Sequence, residues 1–364
     1  MNQKLLDKLN KREKEGTLRS LSCFEGYIDF FSNDYLGLSK VDTITRGEKA
    51  SFSSFGATGS RLISGTSRIT LEAEKSLALF FNSEKALHFN SGFDANIGFF
   101  SSVPQRGDTI LYDEFIHASV RDGIRLSFAK SQSFSHNNAE GLEQLLIKTE
   151  GTVYVVIEAL YSMDGDLSPL RRISDLCEQY SAYLVVDEAH SAGVFGKNGK
   201  GFVSALGLEE KVFARLVTFG KAYGGHGAII LGSNDLIQFL LNFARSFIYT
   251  TALPEACVLR NSKIIEVDDL VERKKKLQEK LSYFRSTFNH AGLISESNSP
   301  IQILEYGEVN KTKTIAAKLQ DETIAIKPIY SPTVPIGKER LRLCFHSYNT
   351  IEEIDKLVNV LKNN

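Results

Sequence analysis

The sequence has no excess of charge of either sign. Its 364 residues carry 43 Lys and Arg against 44 Asp and Glu, a net charge of −1, which gives no overall attraction for nucleic acid or an anionic membrane. The one dense basic cluster, Arg273-Lys274-Lys275-Lys276, has no aromatic residues interleaved and reads as a solvated helix face. Cysteine is scarce too. Cys23, Cys177, Cys257 and Cys344 lie far apart with no C-x-x-C pair, so neither a zinc site nor a redox dithiol is indicated and a reduced, intracellular protein is expected. No apolar run approaches membrane-spanning length, since Leu236–Phe247 is broken by Gln238, Asn242, Arg245 and Ser246. The opening MNQKLLDKLNKREKEGTLRS is charged throughout and lacks the apolar core of a signal peptide. A soluble cytoplasmic protein without metal, nucleic-acid or membrane partner is the expectation.

Several familiar motifs are missing as well. Gly193, Gly196 and Gly199 are spaced G-x-x-G-x-x-G, and no G-x-G-x-x-G follows a strand pattern, which disfavours a nicotinamide dinucleotide fold. Lys221 is followed by Ala222, so the Walker lysine–hydroxyl pair is absent. There is no G-x-S-x-G elbow and no H-E-x-x-H.

What is present is an ordinary globular composition, 42% hydrophobic and 24% charged. The length exceeds what one compact core usually holds, so one large domain and a smaller one are expected. Leu5, Leu6 and Leu9 among charges predict an amphipathic helix. From about Phe55 to Leu253 short β-rich runs alternate with helical patterns, the signature of an α/β domain. Strands are expected at Ala86–Phe89, Thr109–Tyr112, Val153–Ile157, Tyr183–Val186, Arg215–Thr218 and Ala228–Leu231. Several are almost wholly apolar, as parallel strands covered on both faces are. A charged helical stretch (Asn261–Phe288), strands at Ile301–Glu305 and Arg342–Phe345, and a final helix from about Ile351 to Leu361 form a small α+β part. The expected division is 1–45 for an N-terminal segment, 46–255 for the large domain and 256–364 for the small one.

In α/β sheets ligands bind beyond the carboxyl ends of the strands. After Ala86–Phe89 comes Asn90-Ser91-Gly92-Phe93-Asp94, opening a helix whose free N–H groups suit a phosphate. His117 follows the second strand, Glu158 and Ser162 the third, Asp187, Glu188 and His190 the fourth, and Gly220 and Lys221 the fifth. Each is weak alone: a lysine between glycines usually faces solvent, a single histidine is usually structural, and Asp187 could simply cap the next helix. Together they supply an amine for a Schiff base, a carboxylate for a pyridine nitrogen, an imidazole and a phosphate cradle, which is the set of parts pyridoxal phosphate (PLP) requires. Read from the residues alone, the chemistry stops at a PLP enzyme that stabilises a carbanion. A PLP aminotransferase and a non-catalytic binder on the same fold remain open.

The sequence also resembles a known family, the α-oxoamine synthases of the fold-type I PLP enzymes. The similar stretches are Asn33–Leu38, Gly56–Gly65, Asn90–Asn96, Glu158–Asp166, Val186–Gly193, Thr218–Gly224 and Pro335–Arg342, in the family's order over nearly the whole chain. The resemblance implies an aspartate-aminotransferase-like fold with a large, mostly parallel-sheet domain and a small C-terminal domain. It implies that Lys221 bears the cofactor and moves the substrate's Cα proton, that Asp187 pairs with the pyridine nitrogen, that His190 meets the phenolic oxygen and that His117 stacks on the ring. Gly92, Phe93 and Thr218 are implied at the phosphate and Ser162 in the cofactor pocket. Arg342 is implied as the clamp for the amino-acid carboxylate, with Asn33 and Arg19 lining the substrate site. Thr250 or Thr251 is implied to reach the phosphate of a partner subunit in a homodimer. Val103–Leu126 is most similar to members that condense L-alanine with pimeloyl-CoA or pimeloyl acyl-carrier protein in biotin biosynthesis, a decarboxylative acyl transfer. Members taking glycine with an acetyl thioester, or serine with a palmitoyl thioester, are the alternatives. The sequence departs from the family pattern at Thr70, where histidine is frequent, at Glu255, where a second proline is frequent, and at Ile329–Ser331, where some members carry an arginine.

Overall fold

A computed structural model of the chain describes residues 2–43, 56–295 and 298–363. The boundary expected at 45/46 and the start of the α/β pattern at Phe55 lie outside the described residues. The β-rich runs fold as β1 (Ile28–Asp29), β2 (Lys85–Phe89), β3 (Thr109–Asp113), β4 (Lys130–Phe134), β5 (Val153–Glu158), β6 (Tyr183–Asp187), β7 (Ala214–Thr218), β8 (Ala228–Gly232), β9 (Ile301–Glu305), β10 (Ile324–Ala325), β11 (Pro328–Ile329) and β12 (Arg340–Cys344). The residues group into two compact units, one of Leu36–Tyr161 and Leu167–Lys274, the other of Met1–Tyr35, Ser162–Asp166 and Lys275–Asn364.

The larger unit holds a seven-stranded sheet in the order β2-β8-β7-β6-β5-β3-β4. From β4 through β3, β5 and β6 to β7 the pairs are parallel, and β8 runs antiparallel to both neighbours. All residues of β5 and β7 are buried, because helices cover both faces of a parallel sheet and leave no polar side. Leu111, Val155, Ile157, Leu184 and Val186 meet Leu142, Ile173 and Leu176 in one core cluster, while Leu87, Val156, Val185 and Leu216 meet Phe99, Val120 and Leu240 in the other.

The hydrophobic pattern does not predict strand β4. Its sequence KSQSF buries only Phe134, and a polar strand at a sheet edge carries no hydrophobic alternation to reveal it. The reversed β8 follows β7 directly through the loop Phe219–Gly227, closed by Phe219 N–H donating to Gly227 O at 2.9 Å and Gly225 N–H to Phe219 O at 2.7 Å. This loop carries Lys221. Gly224 within it has φ +59°, and a Cβ there would lie 2.1 Å from the Ser39 nitrogen, so only glycine fits the turn.

The smaller unit pairs β1 with β10 in parallel and builds an antiparallel sheet β11-β12-β9. Phe284 packs on Phe288 and Phe345, whose ring also meets Phe30. The last helix, Ile351–Lys362, begins with a capping box between Thr350 and Glu353 and buries Ile354, Leu357, Val358 and Leu361.

Two expectations need correction. The helical stretch Asn261–Phe288 is two helices, Glu255–Ile264 and Leu270–Thr287. The basic cluster is not simply a solvated face: Arg273 donates to Leu36 O at 2.9 Å and Lys274 to Gly196 O, while Lys275 and Lys276 are exposed. The composition of the cluster carries no sign that two of its members reach carbonyls distant in sequence.

Candidate active site

The carboxyl ends of the parallel strands lie level: Glu158 at the end of β5 is in register with Asp187 at the end of β6, which is in register with Leu216 of β7. Asp187 is buried. Its Oδ1 accepts the Ala189 N–H at 2.9 Å, the local bond of the capping reading, while Oδ2 accepts the Asn96 side-chain N–H at 3.0 Å. Both bonds use its oxygens as acceptors, the only role an ionised carboxylate has.

His190 lies three residues beyond Asp187 and is buried; its Nε2 is 2.7 Å from Lys221 Nζ. The Phe219–Gly227 loop and the turn after β6 thus bring an amine and an imidazole together at one sheet edge. His117 precedes the helix Ala118–Leu126 as its N-cap, with Nδ1 accepting the Ser119 N–H at 3.2 Å and lying 2.7 Å from Ser119 Oγ. Partial burial, then the charge of Lys221, hold the His117 pKa below its usual value against the opposite pull of Asp187. The fully buried Glu158 is pushed well above the carboxylate range, first by desolvation and then by Asp187 beside it.

The helix Gly92–Ser102 follows β2 with Ser91 as N-cap, its Oγ accepting the Asp94 N–H at 3.0 Å. The N–H groups of Gly92 and Phe93 open this helix and have no acceptor within it. A Cβ on Gly92 would come within 2.8 Å of Thr218 Oγ1, the hydroxyl at the end of β7. Glycine therefore keeps a space between two N–H groups at a positive helix end and a hydroxyl, which suits a phosphate. Asn90 donates to Thr250 Oγ1 at 3.1 Å and to Thr251 O at 2.8 Å, tying the FIYTTALP segment beside this cradle.

Behind the site, Glu188 and Arg215 form a wholly buried ion pair with contacts of 2.8 and 2.5 Å. The second oxygen of Glu188 accepts the Val203 N–H at 2.9 Å and Ser191 Oγ–H at 3.0 Å. One carboxylate thus pins the turn that carries Asp187 and His190.

In the smaller unit, Arg342 on β12 is buried. Its Nη2 donates to Asn33 Oδ1 at 2.9 Å and to Tyr35 Oη at 3.2 Å, its Nε to Ser162 O at 2.5 Å and its Nη1 to Cys344 Sγ at 2.9 Å. The structure therefore brings Arg342, Asn33 and Ser162 together, Ser162 through its backbone oxygen. Arg19 stands apart, exposed, donating to Thr333 Oγ1 at 3.0 Å.

Asn96 and Ser119 received no role from the sequence, although both touch site residues. Asn96 closes the Asn90–Asn96 stretch, one helical turn after Gly92, and Ser119 lies two residues beyond His117. An amide and a hydroxyl on buried helix faces were the available signal.

Comparison with known proteins extends this reading. Residues 25–361 match the family of aminotransferases class I and II. An 8-amino-7-oxononanoate synthase of Emericella nidulans is 38% identical over 98% of this chain and 94% of its own. Another, from Lysinibacillus sphaericus, is 35% identical over 100% and 98%. Among solved structures, the 8-amino-7-oxononanoate synthase of Francisella tularensis superposes with a TM-score of 0.79 at 30% identity, covering 93% of this chain and 98% of that one. A serine palmitoyltransferase from S. paucimobilis, solved with PLP and myriocin bound, gives 0.88 at 26% identity over 99% and 96%. The chain belongs to the aminotransferase class I and II family and, within it, to the α-oxoamine synthases, with the fold-type I architecture that the resemblance implied.

Proposed function

We propose that this protein is a PLP-dependent acyltransferase that condenses L-alanine with a pimeloyl thioester, releasing carbon dioxide and the carrier thiol and forming 8-amino-7-oxononanoate for biotin synthesis. The observation that carries the chemistry is the Lys221–His190 contact of 2.7 Å on the sheet edge that also presents Asp187. The substrate pair rests on relatives named for this reaction, similar over nearly their whole length.

The residues fit the cofactor. The Gly92 cradle suits a phosphate, the charged Asp187 suits a protonated ring nitrogen, and Lys221 offers an amine near enough to histidine to exchange protons. Bound PLP supplies an electron sink that stabilises a carbanion at the substrate's α-carbon. Lys221 Nζ then takes the Cα proton and returns it after decarboxylation. Asp187, fixed in place by its bonds from Asn96 and Ala189, would pair with the protonated ring nitrogen. His190 orients Lys221 and the phenolic oxygen, and His117 offers its ring face. Gly92, Phe93 and Thr218 bind the phosphate. Arg342, steadied by Asn33 and Tyr35, is the carboxylate-binding guanidinium we assign, with Ser162 and Arg19 as further pocket residues. We further propose a cytoplasmic homodimer in which Thr250 or Thr251 serves the partner's phosphate site. The unpaired cysteines are in keeping with a reducing compartment, and among the described residues no helix is long and apolar enough to cross a membrane.

A second reading, condensation of serine with a long-chain thioester, draws on the serine palmitoyltransferase likeness. Product analysis by mass spectrometry separates the two. Alanine with pimeloyl-CoA or pimeloyl acyl-carrier protein should give 8-amino-7-oxononanoate; a response to serine and palmitoyl-CoA alone would overturn the first reading.

A further inference from the structure

Asn96 and Ser119 form a hydrogen-bonded chain between Asp187 and His117. Asn96 sits on the buried side of the helix Gly92–Ser102, and Ser119 is wholly buried at the start of the helix Ala118–Leu126. The Asn96 amide nitrogen reaches Asp187 Oδ2 at 3.0 Å and Ser119 Oγ at 2.9 Å. Ser119 Oγ is in turn 2.7 Å from His117 Nδ1.

The direction of every bond in this chain follows from one charge. The ionised Asp187 carboxylate only accepts, so the amide must turn its nitrogen, not its oxygen, towards it. That nitrogen has two hydrogens, and the second goes to Ser119 Oγ. The serine oxygen already accepts there, so its own proton points to its other partner, His117 Nδ1. The Ser119 backbone N–H, which can only donate, meets the same Nδ1 at 3.2 Å. Nδ1 therefore receives two donors and carries a lone pair, which leaves the ring proton on Nε2.

We propose that Asn96 and Ser119 are positioning residues that transmit the charge of Asp187 to His117 and lock its imidazole as the neutral Nε2–H tautomer. The inference rests on the roles proposed for His117 and Asp187. A ring tethered through Nδ1 is fixed in both plane and charge, so it presents a neutral flat face rather than a second cation beside Lys221. The other groups acting on His117 are Asp187, Lys221 and Asp122 through their charges and the Glu158 carboxyl through the His117 backbone. Burial and the charge of Lys221 oppose protonation without choosing between the ring nitrogens, whereas the two donors at Nδ1 fix the tautomer and the ring plane.

The test is nitrogen-15 NMR of histidine-labelled full-length protein without added cofactor, with His117 assigned by the loss of its signals in His117→Gln. The expected wild-type pattern is an unprotonated Nδ1 and a protonated Nε2, persisting below the usual histidine pKa. Ser119→Ala removes the hydroxyl and keeps the backbone donor. It should bring the two nitrogen shifts closer together and raise the His117 pKa by about half to one unit, the worth of one hydrogen bond to the neutral form. Ser119→Thr should restore the wild-type pattern, and Asn96→Leu should mimic Ser119→Ala. A wild-type ring protonated on Nδ1, or a Ser119→Ala spectrum identical to wild type, overturns the inference. PLP uptake, followed separately by its visible absorbance, tests the proposed function instead: a chain that shows the tautomer but takes up no cofactor contradicts only that reading.

Discussion

Glu158 and Asp187 stand side by side in register at the ends of adjacent parallel strands, both buried. Two carboxylates so placed do not ionise together readily. Asp187 accepts N–H bonds from Asn96 and Ala189, whereas Glu158 is pushed towards its neutral form, first by desolvation and then by Asp187. Because the folded-state pKa of Glu158 lies above its unfolded value, the folded chain binds more protons between the two. Its contribution to stability is complete below the unfolded pKa and falls as pH rises through that window.

Glu158→Gln preserves the shape and removes the ionisation. The variant should gain stability relative to wild type as pH rises above the ordinary glutamate range, by at most about 1.4 kcal/mol per pH unit. Urea unfolding across that range measures it. A difference independent of pH would contradict the neutral assignment.

Asp187→Asn replaces the charge and keeps the size. Turnover should fall by at least about 100-fold, as when a preorganised charge is removed from a developing ion, with thermal stability changed far less. Steady-state kinetics alongside calorimetry checks both. A variant within a few-fold of wild type would remove Asp187 from the ring nitrogen.

The Glu188–Arg215 pair is a structural counterpart. Arg215→Ala leaves a buried carboxylate bonded only to Val203 and Ser191, and should cost about 3–5 kcal/mol in chemical denaturation. Glu188→Leu combined with Arg215→Met should recover most of that loss, since the penalty comes from the uncompensated charge rather than the lost attraction.

Gly92→Ala should close the phosphate cradle. The new methyl would meet Thr218 Oγ1 at 2.8 Å, so the Kd for PLP should rise about tenfold or more, equivalent to about 1.4 kcal/mol. Adding Thr218→Ala should relieve the clash without restoring the hydroxyl. Spectroscopic titration with PLP checks both variants.

Much of this architecture was legible in the sequence because its strands are buried on both faces. Val153–Ile157 and Tyr183–Val186 are nearly unbroken apolar runs, each followed directly by a carboxylate, Glu158 and Asp187, of which Asp187 was the catalytic candidate. Strand β4 was invisible for the opposite reason: at the sheet edge, four of its five residues face water. The candidate residues of the large domain were legible as positions after strands. The partners of Arg342 were not, since Asn33, Tyr35 and Cys344 reach it only once the chain has folded around β12. Asn96 and Ser119 were illegible for the same reason: their significance lies in donor and acceptor directions, which spacing does not encode.

Everything proposed for this site turns on Lys221 as the residue that bears the cofactor. Borohydride reduction of the PLP-loaded protein, with peptide mass spectrometry of the product, tests this directly. A phosphopyridoxyl group is expected on the peptide containing Lys221, and none after Lys221→Ala. A label on another lysine, or an unlabelled Lys221 in protein that has visibly taken up PLP, would contradict the assignment.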